Sequence, residues 1–147
     1  MGRRRCLHVV ARDIWRGDAV GNFALGMARL AAERGVEARL YAENHAPHMP
    51  IRPPEDLPGA VEPHDVVMFS ASTFDPALGL VLGLGCRKVA YFHNITPPGF
   101  FRPWDPAAAG VVEQAHAQLP AMAGFDALFA NSRVTARLLA AHLPDGH

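Results

Sequence analysis

Five short runs of almost unbroken apolar residues recur along the chain, at 6–11, 37–42, 65–70, 88–93 and 127–131. Each is apolar at successive rather than alternate positions, the pattern of a strand covered on both faces. Such strands belong to parallel sheets, whose neighbouring strands need long crossover connections, usually helices. Between the first two runs Val20, Phe23, Met27, Leu30 and Ala31 recur at helical spacing, with Asp18 placed to cap the helix and Gly35 to stop it. Strand, helix and strand there make one right-handed βαβ unit.

The same reading predicts helices over 75–84 and 106–122, and a last one after Asn131-Ser132 with Val134, Leu138, Ala141 and His142 as its inward stripe. From 44 to 63 the chain carries prolines at 47, 50, 53, 54, 58 and 63, so a surface connection without a helix is expected. Alternating strands and helices define an α/β domain spanning 1–147, a three-layer αβα sandwich. With the five runs numbered in chain order, the expected strand order is 2-1-3-4-5. Ligands of such sheets bind beyond the carboxyl ends of the strands, at the switch between the first and third.

Composition narrows the function. Among 147 residues, 14 Lys+Arg balance 14 Asp+Glu and half are apolar, which excludes a disordered polyelectrolyte and disfavours nucleic acid as a partner. The basic run Arg3-Arg4-Arg5 reads as a solubilising lead into the first strand. Cys6 and Cys86 lack the spacing of a zinc or redox pair, and as buried thiols they suggest a cytosolic compartment. The apolar stretch after the arginines is shorter than the about 7–15 residues of a secretory core. The longest other stretch, 77–86, is half the ~20 residues that span a bilayer.

Candidate chemistry sits at the expected carboxyl ends. The first strand empties into a loop containing Gly17, Asp18, Gly21 and Asn22, which reads as a turn or as an anion or substrate edge, since a helix N-terminus offers roughly half a positive charge. Its spacing is neither a dinucleotide fingerprint nor a P-loop, and Gly83-Leu84-Gly85 lies at a helix end rather than after a strand. The third strand ends in Ser70-Ala71-Ser72-Thr73, hydroxyls that either cap the next helix or face the cleft. After the fourth come His93, Asn94 and Thr96 ahead of Pro97-Pro98, a rigid polar edge. Asn131 and Ser132 follow the fifth, as a helix cap or a ligand contact. His45 and His48 make a poor metal pair without a further ligand at a fixed offset, and no Ser-His-Asp elbow or H-E-x-x-H occurs.

Taken together, Gly17-Asp18-Ala19-Val20-Gly21-Asn22, Glu33-Arg34-Gly35, Leu40-Tyr41-Ala42-Glu43, the stretch from Tyr91 through His93-Asn94-Ile95-Thr96-Pro97-Pro98, and Phe129-Ala130-Asn131-Ser132 closely resemble the N-terminal domain of family-4 glycosyltransferases. The resemblance covers nearly the whole chain. It implies one Rossmann-like half of a retaining GT-B enzyme, the half that holds the acceptor. His93 would then contact the transferred sugar, the Gly17–Asn22 loop would approach the acceptor and the donor diphosphate, and Ser70, Ser72, Asn94, Thr96, Asn131 and Ser132 would line the cleft. No metal or cofactor is implied, the sugar nucleotide being a co-substrate of the donor-binding half. The expected partners are that C-terminal half, in the same or another chain, and a sugar or glycolipid acceptor, with the location cytoplasmic or at the inner face of a membrane.

Because the sequence stops at Leu143-Pro144-Asp145-Gly146-His147, before a second domain, this polypeptide is expected to be inactive alone. The alternative is a non-catalytic binding or partner module of the same fold, forming a homodimer through apolar surface near Phe100, Phe101 and Trp104.

Overall fold

The computed structural model describes residues 5–145; Arg3 and Arg4 lie outside them. In chain order the strands are β1 (Cys6–Ala11), β2 (Asp13–Ile14), β3 (Glu37–Tyr41), β4 (Asn44–His45), β5 (Ile51–Arg52), β6 (Val66–Ala71), β7 (Arg87–Phe92) and β8 (Ala127–Ala130). The helices are α1 (Ala19–Glu33), α2 (Leu57–Ala60), α3 (Ala77–Leu82), α4 (Pro106–Gln118) and α5 (Arg133–Ala140). The main sheet has six strands in the order β5-β3-β1-β6-β7-β8, every pair parallel. The fold is the expected Rossmann-like α/β sandwich.

The five expected strands take the expected relative order, and the correction is a sixth strand at the edge. Ile51 and Arg52 pair with Leu40 and Tyr41. Pro50 and Pro53 bound this strand, because a residue without an N–H is tolerated only at an edge or a strand end. The same segment holds the short helix α2, so the expectation of no helix over 44–63 is also corrected. Pro58 falls in its first turn, where a backbone N–H has no helical partner anyway. β2 and β4 form a separate parallel pair.

Helix α4 is shorter than expected. Pro120 cannot donate into an α-helical turn, and the chain tightens into a 3-10 segment over Leu119–Gly124.

Successive strand residues point to opposite faces, and the two faces are covered unequally. Val9, Ala11, Leu40 and Ala42 pack under α1 through Ala24, Val20 and Met27. On the other face Val10, Tyr41, Val67, Phe69, Ala90 and Phe92 pack with Leu57 of α2, Leu78 and Val81 of α3, Ala115 of α4 and Leu139 of α5. One helix therefore faces four. The expectation of strands covered on both faces fails at β8, where Phe129 is half-exposed, and Leu30 of the expected α1 stripe is exposed as well.

The inward stripe of α5 is also corrected. Val134 and Leu138 are 66% and 46% exposed, while Thr135 and Leu139 are buried. Ser132 sets this phase by accepting from the Thr135 N–H at 3.1 Å and pairing its hydroxyl with that of Thr135 at 2.9 Å. The cap turns Thr135 inward, and Leu139, one helical turn later, follows it.

At the amino ends of the strands a buried polar cluster fixes the sheet. Asp65 accepts from the Cys6 N–H at 2.8 Å and the Glu62 N–H at 2.9 Å. The fully buried His8 lies 3.3 Å from Asp65 through Nε2 and 3.0 Å from the Tyr41 hydroxyl through Nδ1. Burial holds the His8 imidazole below its ordinary value, against the pull of Asp65. Burial works to raise Asp65, but the two N–H donors and His8 outweigh it and hold the carboxyl below its usual range. Both thiols are buried and unpaired, and burial pushes Cys6 up to about 11.

A neutral native His8 makes stability acid-sensitive. As pH falls below the ordinary 6.5, the unfolded chain takes up a proton that the folded state resists, so stability is lost toward the depressed folded value. The loss for this one site is at most about 1.4 kcal/mol per pH unit. Urea unfolding at pH 7 and pH 5 is expected to show the decline, and His8→Asn, which cannot titrate, to lessen it.

Candidate functional site

The loop after β1 is built by a close approach. Gly21 sits in the first turn of α1, and a Cβ there would lie 2.1 Å from the carbonyl oxygen of Trp15. Only glycine lets the loop fold back onto the helix in this way. Gly17 takes φ +87°, a left-handed conformation that suits glycine. Its N–H donates to Asn22 Oδ1 at 3.1 Å, and the Gly21 N–H donates to Asp18 Oδ2 at 2.9 Å. Asp18 thus caps α1, as the sequence suggested.

Two of the N–H groups that could cradle an anion are therefore satisfied within the loop, and a carboxylate already occupies the positive end of the helix. The arrangement suits hydroxyl donors better than a phosphate.

His93 stands just past β7 with its backbone held on both sides. Its N–H donates to the Ala71 carbonyl at 2.9 Å, extending the ladder with β6. Its carbonyl accepts from Asn131 Nδ2 at 3.2 Å. The next residue, Asn94, takes φ +89°, where asparagine is tolerated better than most residues, and its Oδ1 accepts from the Ile95 N–H. Ile95 is buried in the core, so the chain turns sharply inward directly after the histidine.

The imidazole is half-buried. Nε2 lies 2.8 Å from the hydroxyl of Ser70, itself buried. Phe23 meets the ring edge-on at 4.8 Å, Tyr91 lies 4.8 Å away, and the two aromatic rings are 4.3 Å apart. Burial lowers the His93 pKa from its ordinary 6.5, partly opposed by the Asp18 carboxylate, so the ring is neutral at pH 7. With Nε2 engaged by Ser70, Nδ1 is the ring nitrogen left without a partner among the described residues. A neutral ring can donate or accept there, depending on which way the Ser70 hydroxyl points.

The structure thus groups Asp18, Ser70, His93 and Asn131 and adds Phe23 and Tyr91, which the sequence placed in a helix stripe and a strand but not at the site. Tyr91 was findable, since it lies two residues from His93 and so on the same sheet face. Ser70 supports the imidazole from beneath rather than lining an open cleft. Ser72 is only half-buried, and Thr96 is exposed with its carbonyl 3.4 Å from His116 Nε2. Ser132 is the α5 cap.

The N-cap position of α3 is Pro76, which has no capping side chain; Asp75 just before it accepts the first helical N–H, that of Ala77, on Oδ1, and neither Ser72 nor Thr73 takes that place. Among the described residues no group of three or more His, Cys, Asp and Glu is placed to hold a metal ion. His45 Nδ1 instead pairs with the Ala46 carbonyl. No helix among these residues is long and apolar enough to cross a membrane. Comparison with protein-family models, curated proteins and solved structures finds no match.

The loop gives a paired prediction. Gly21→Ala forces backbone apart and is expected to cost about 3 kcal/mol, the upper end of overpacking. Gly26→Ala, with nothing within 4 Å of its Cβ, is expected to add about 0.5–1 kcal/mol. Urea midpoints of the two variants measure both effects.

Proposed function

We propose that this domain is the acceptor-holding wall of a sugar-nucleotide-dependent, retaining glycosyltransferase of the hexosyltransferase class. The observation that carries the reading is the neutral His93 imidazole at the carboxyl edge of the sheet, held by Ser70 and walled by Phe23 and Tyr91 beside the Gly17–Asn22 loop. The resemblance in the H-N-I-T-P-P and A-N-S stretches adds to it. A sugar hydroxyl reaching Nδ1 meets a group that can accept or donate, and the aromatic pair excludes water from one side.

The chemistry of glycosyl transfer sets what else is needed. Positive charge develops on the sugar and negative charge on the departing diphosphate, and preorganised groups of opposite sign supply much of the stabilisation. This wall offers a neutral imidazole and a carboxylate. The cationic groups for the diphosphate belong to a donor-binding half, supplied in the same polypeptide or by a second chain. On this reading the domain needs no metal or cofactor of its own, its acceptor is a sugar or glycolipid, and the reaction occurs in the cytoplasm or at the inner face of a membrane.

A second reading, a non-catalytic partner module, draws on Phe100 and Trp104, which are 72% and 87% exposed beside Pro97-Pro98. Light scattering separates the two: a stable dimer lost in Trp104→Ser favours the module, and a monomer that binds a donor half favours the enzyme.

With a donor-binding half present, His93→Ala is expected to slow transfer about a hundredfold, typical of losing one well-placed polar contact. Unchanged transfer would remove His93 from the site. If Nδ1 works in its neutral form, activity should also decline as pH drops through the lowered His93 value, below 6.5, and the acidic limb of a pH–rate profile reads this directly.

A further inference from the structure

A second feature of the carboxyl rim lies on the sheet face away from α1. A cavity of about 100 Å³ opens between Glu43, which follows β3, Pro54 and Glu55 ahead of α2, Asp75 and Pro76 ahead of α3, and Ala77 and Leu80 on α3. Three of the seven lining residues are carboxylates. Glu43 pairs with Arg12, whose Nε lies 2.9 Å from its Oε2. Among the described residues no cation pairs with Glu55 or Asp75.

Asp75 is the decisive member. It is only 3% exposed, and its Oδ1 is used by the Ala77 N–H. Its backbone is fully engaged, with the N–H donating to Gln118 Oε1 and the carbonyl accepting from Gln118 Nε2. Oδ2 alone has no partner, and it is the only buried side-chain polar atom in that condition among the described residues.

A buried carboxylate oxygen left unpaired has given up its hydration with nothing in return, a larger loss when it is charged. Alanine at this position would avoid that cost. Arg12 is the nearby cation, but its Nε is taken up by Glu43 and its Nη1 by the Phe74 carbonyl, so it leaves the orphan oxygen without a direct partner. Burial raises the Asp75 carboxyl above its ordinary value, outweighing the Ala77 N–H and the Arg12 charge that pull it down, with Glu43 and Asp13 adding smaller upward pushes.

We propose that this cavity binds the primary ammonium group of a small amine, with Asp75 Oδ2 as its main acceptor and the Glu55 and Glu43 carboxylates completing the charge balance. An ammonium ion can donate one hydrogen bond to Oδ2 and leave its other donors to water, while its charge balances the more distant carboxylates. The volume admits that head with a short carbon chain along Pro54, Pro76 and Leu80. A bare divalent ion is a poorer fit, since no trio of ligands stands close enough. The site does not depend on the glycosyl-transfer reading, and either can fail alone.

The test is an amide NMR titration of the intact chain with n-propylammonium, using n-propanol as the neutral isostere. Saturable shifts at Ala77 and Glu43 with the amine and none with the alcohol are expected. Asp75→Asn keeps an Oδ1 acceptor for the Ala77 N–H, and it is expected to weaken binding about tenfold or more. Glu55→Gln changes an exposed residue that makes no structural bond, so it serves if Asp75→Asn fails to fold; a severalfold loss is expected. No saturation, an equal response to the alcohol, or unchanged affinity in the folded variants would overturn the proposal and leave Oδ2 to a water molecule or a proton.

Discussion

The carboxylate of Asp65 ties the amino ends of the sheet together. It collects the N–H of Cys6 at the start of β1, the N–H of Glu62 in the preceding loop and the imidazole of His8, which in turn reaches Tyr41 on β3. β1 and β6 are thereby pinned at their amino ends, and Tyr41, the last residue of β3, joins the same cluster through its hydroxyl, in an interior where each unsatisfied group would be expensive. With the register set there, Leu7 faces Ala38 on one side and Val66 on the other. The strands then finish nearly level at the opposite end. Arg12, Glu43, Ser72 and His93 each come one or two residues past a strand end, so they fall along a common rim.

That rim has two chemically distinct halves, and the unequal layering explains why. On the α1 side the aromatic residues Phe23 and Tyr91 enclose a neutral imidazole over a serine hydroxyl. On the side of α2 and α3, carboxylates gather around prolines, with Arg12 as the counter-ion of one of them. The chain after β1 turns toward α1 while the chain after β6 turns toward α3, and this divergence is the switch point at which open α/β sheets bind ligands.

The parallel sheet was legible because burial on both faces writes itself as continuous apolar runs. β5 was not, because a strand confined to Ile51–Arg52 between prolines carries no periodic signal. The phase of α5 was misread for an instructive reason. Val134 and Leu138 look like an inward stripe, yet the hydroxyl contact between Ser132 and Thr135 decides the rotation and leaves them outside. At the candidate site, His93 and the loop glycines could be named from their place after strands. The Ser70 contact could not, since it joins residues on neighbouring strands through side chains. Nor could the orphan oxygen of Asp75, which becomes visible only when every neighbouring donor has been assigned.

The two margins of the main sheet differ in kind. β5 is bounded by Pro50, Pro53 and Pro54 and carries the exposed Arg52, devices that blunt an edge against further pairing. β8, Ala127–Ala130, has neither charge nor proline, and Phe129 stands half-open beside it. Lateral growth is thus end-stopped: a strand can be added at one margin, and two such sheets meeting there would close as a pair with no sticky end left for a filament.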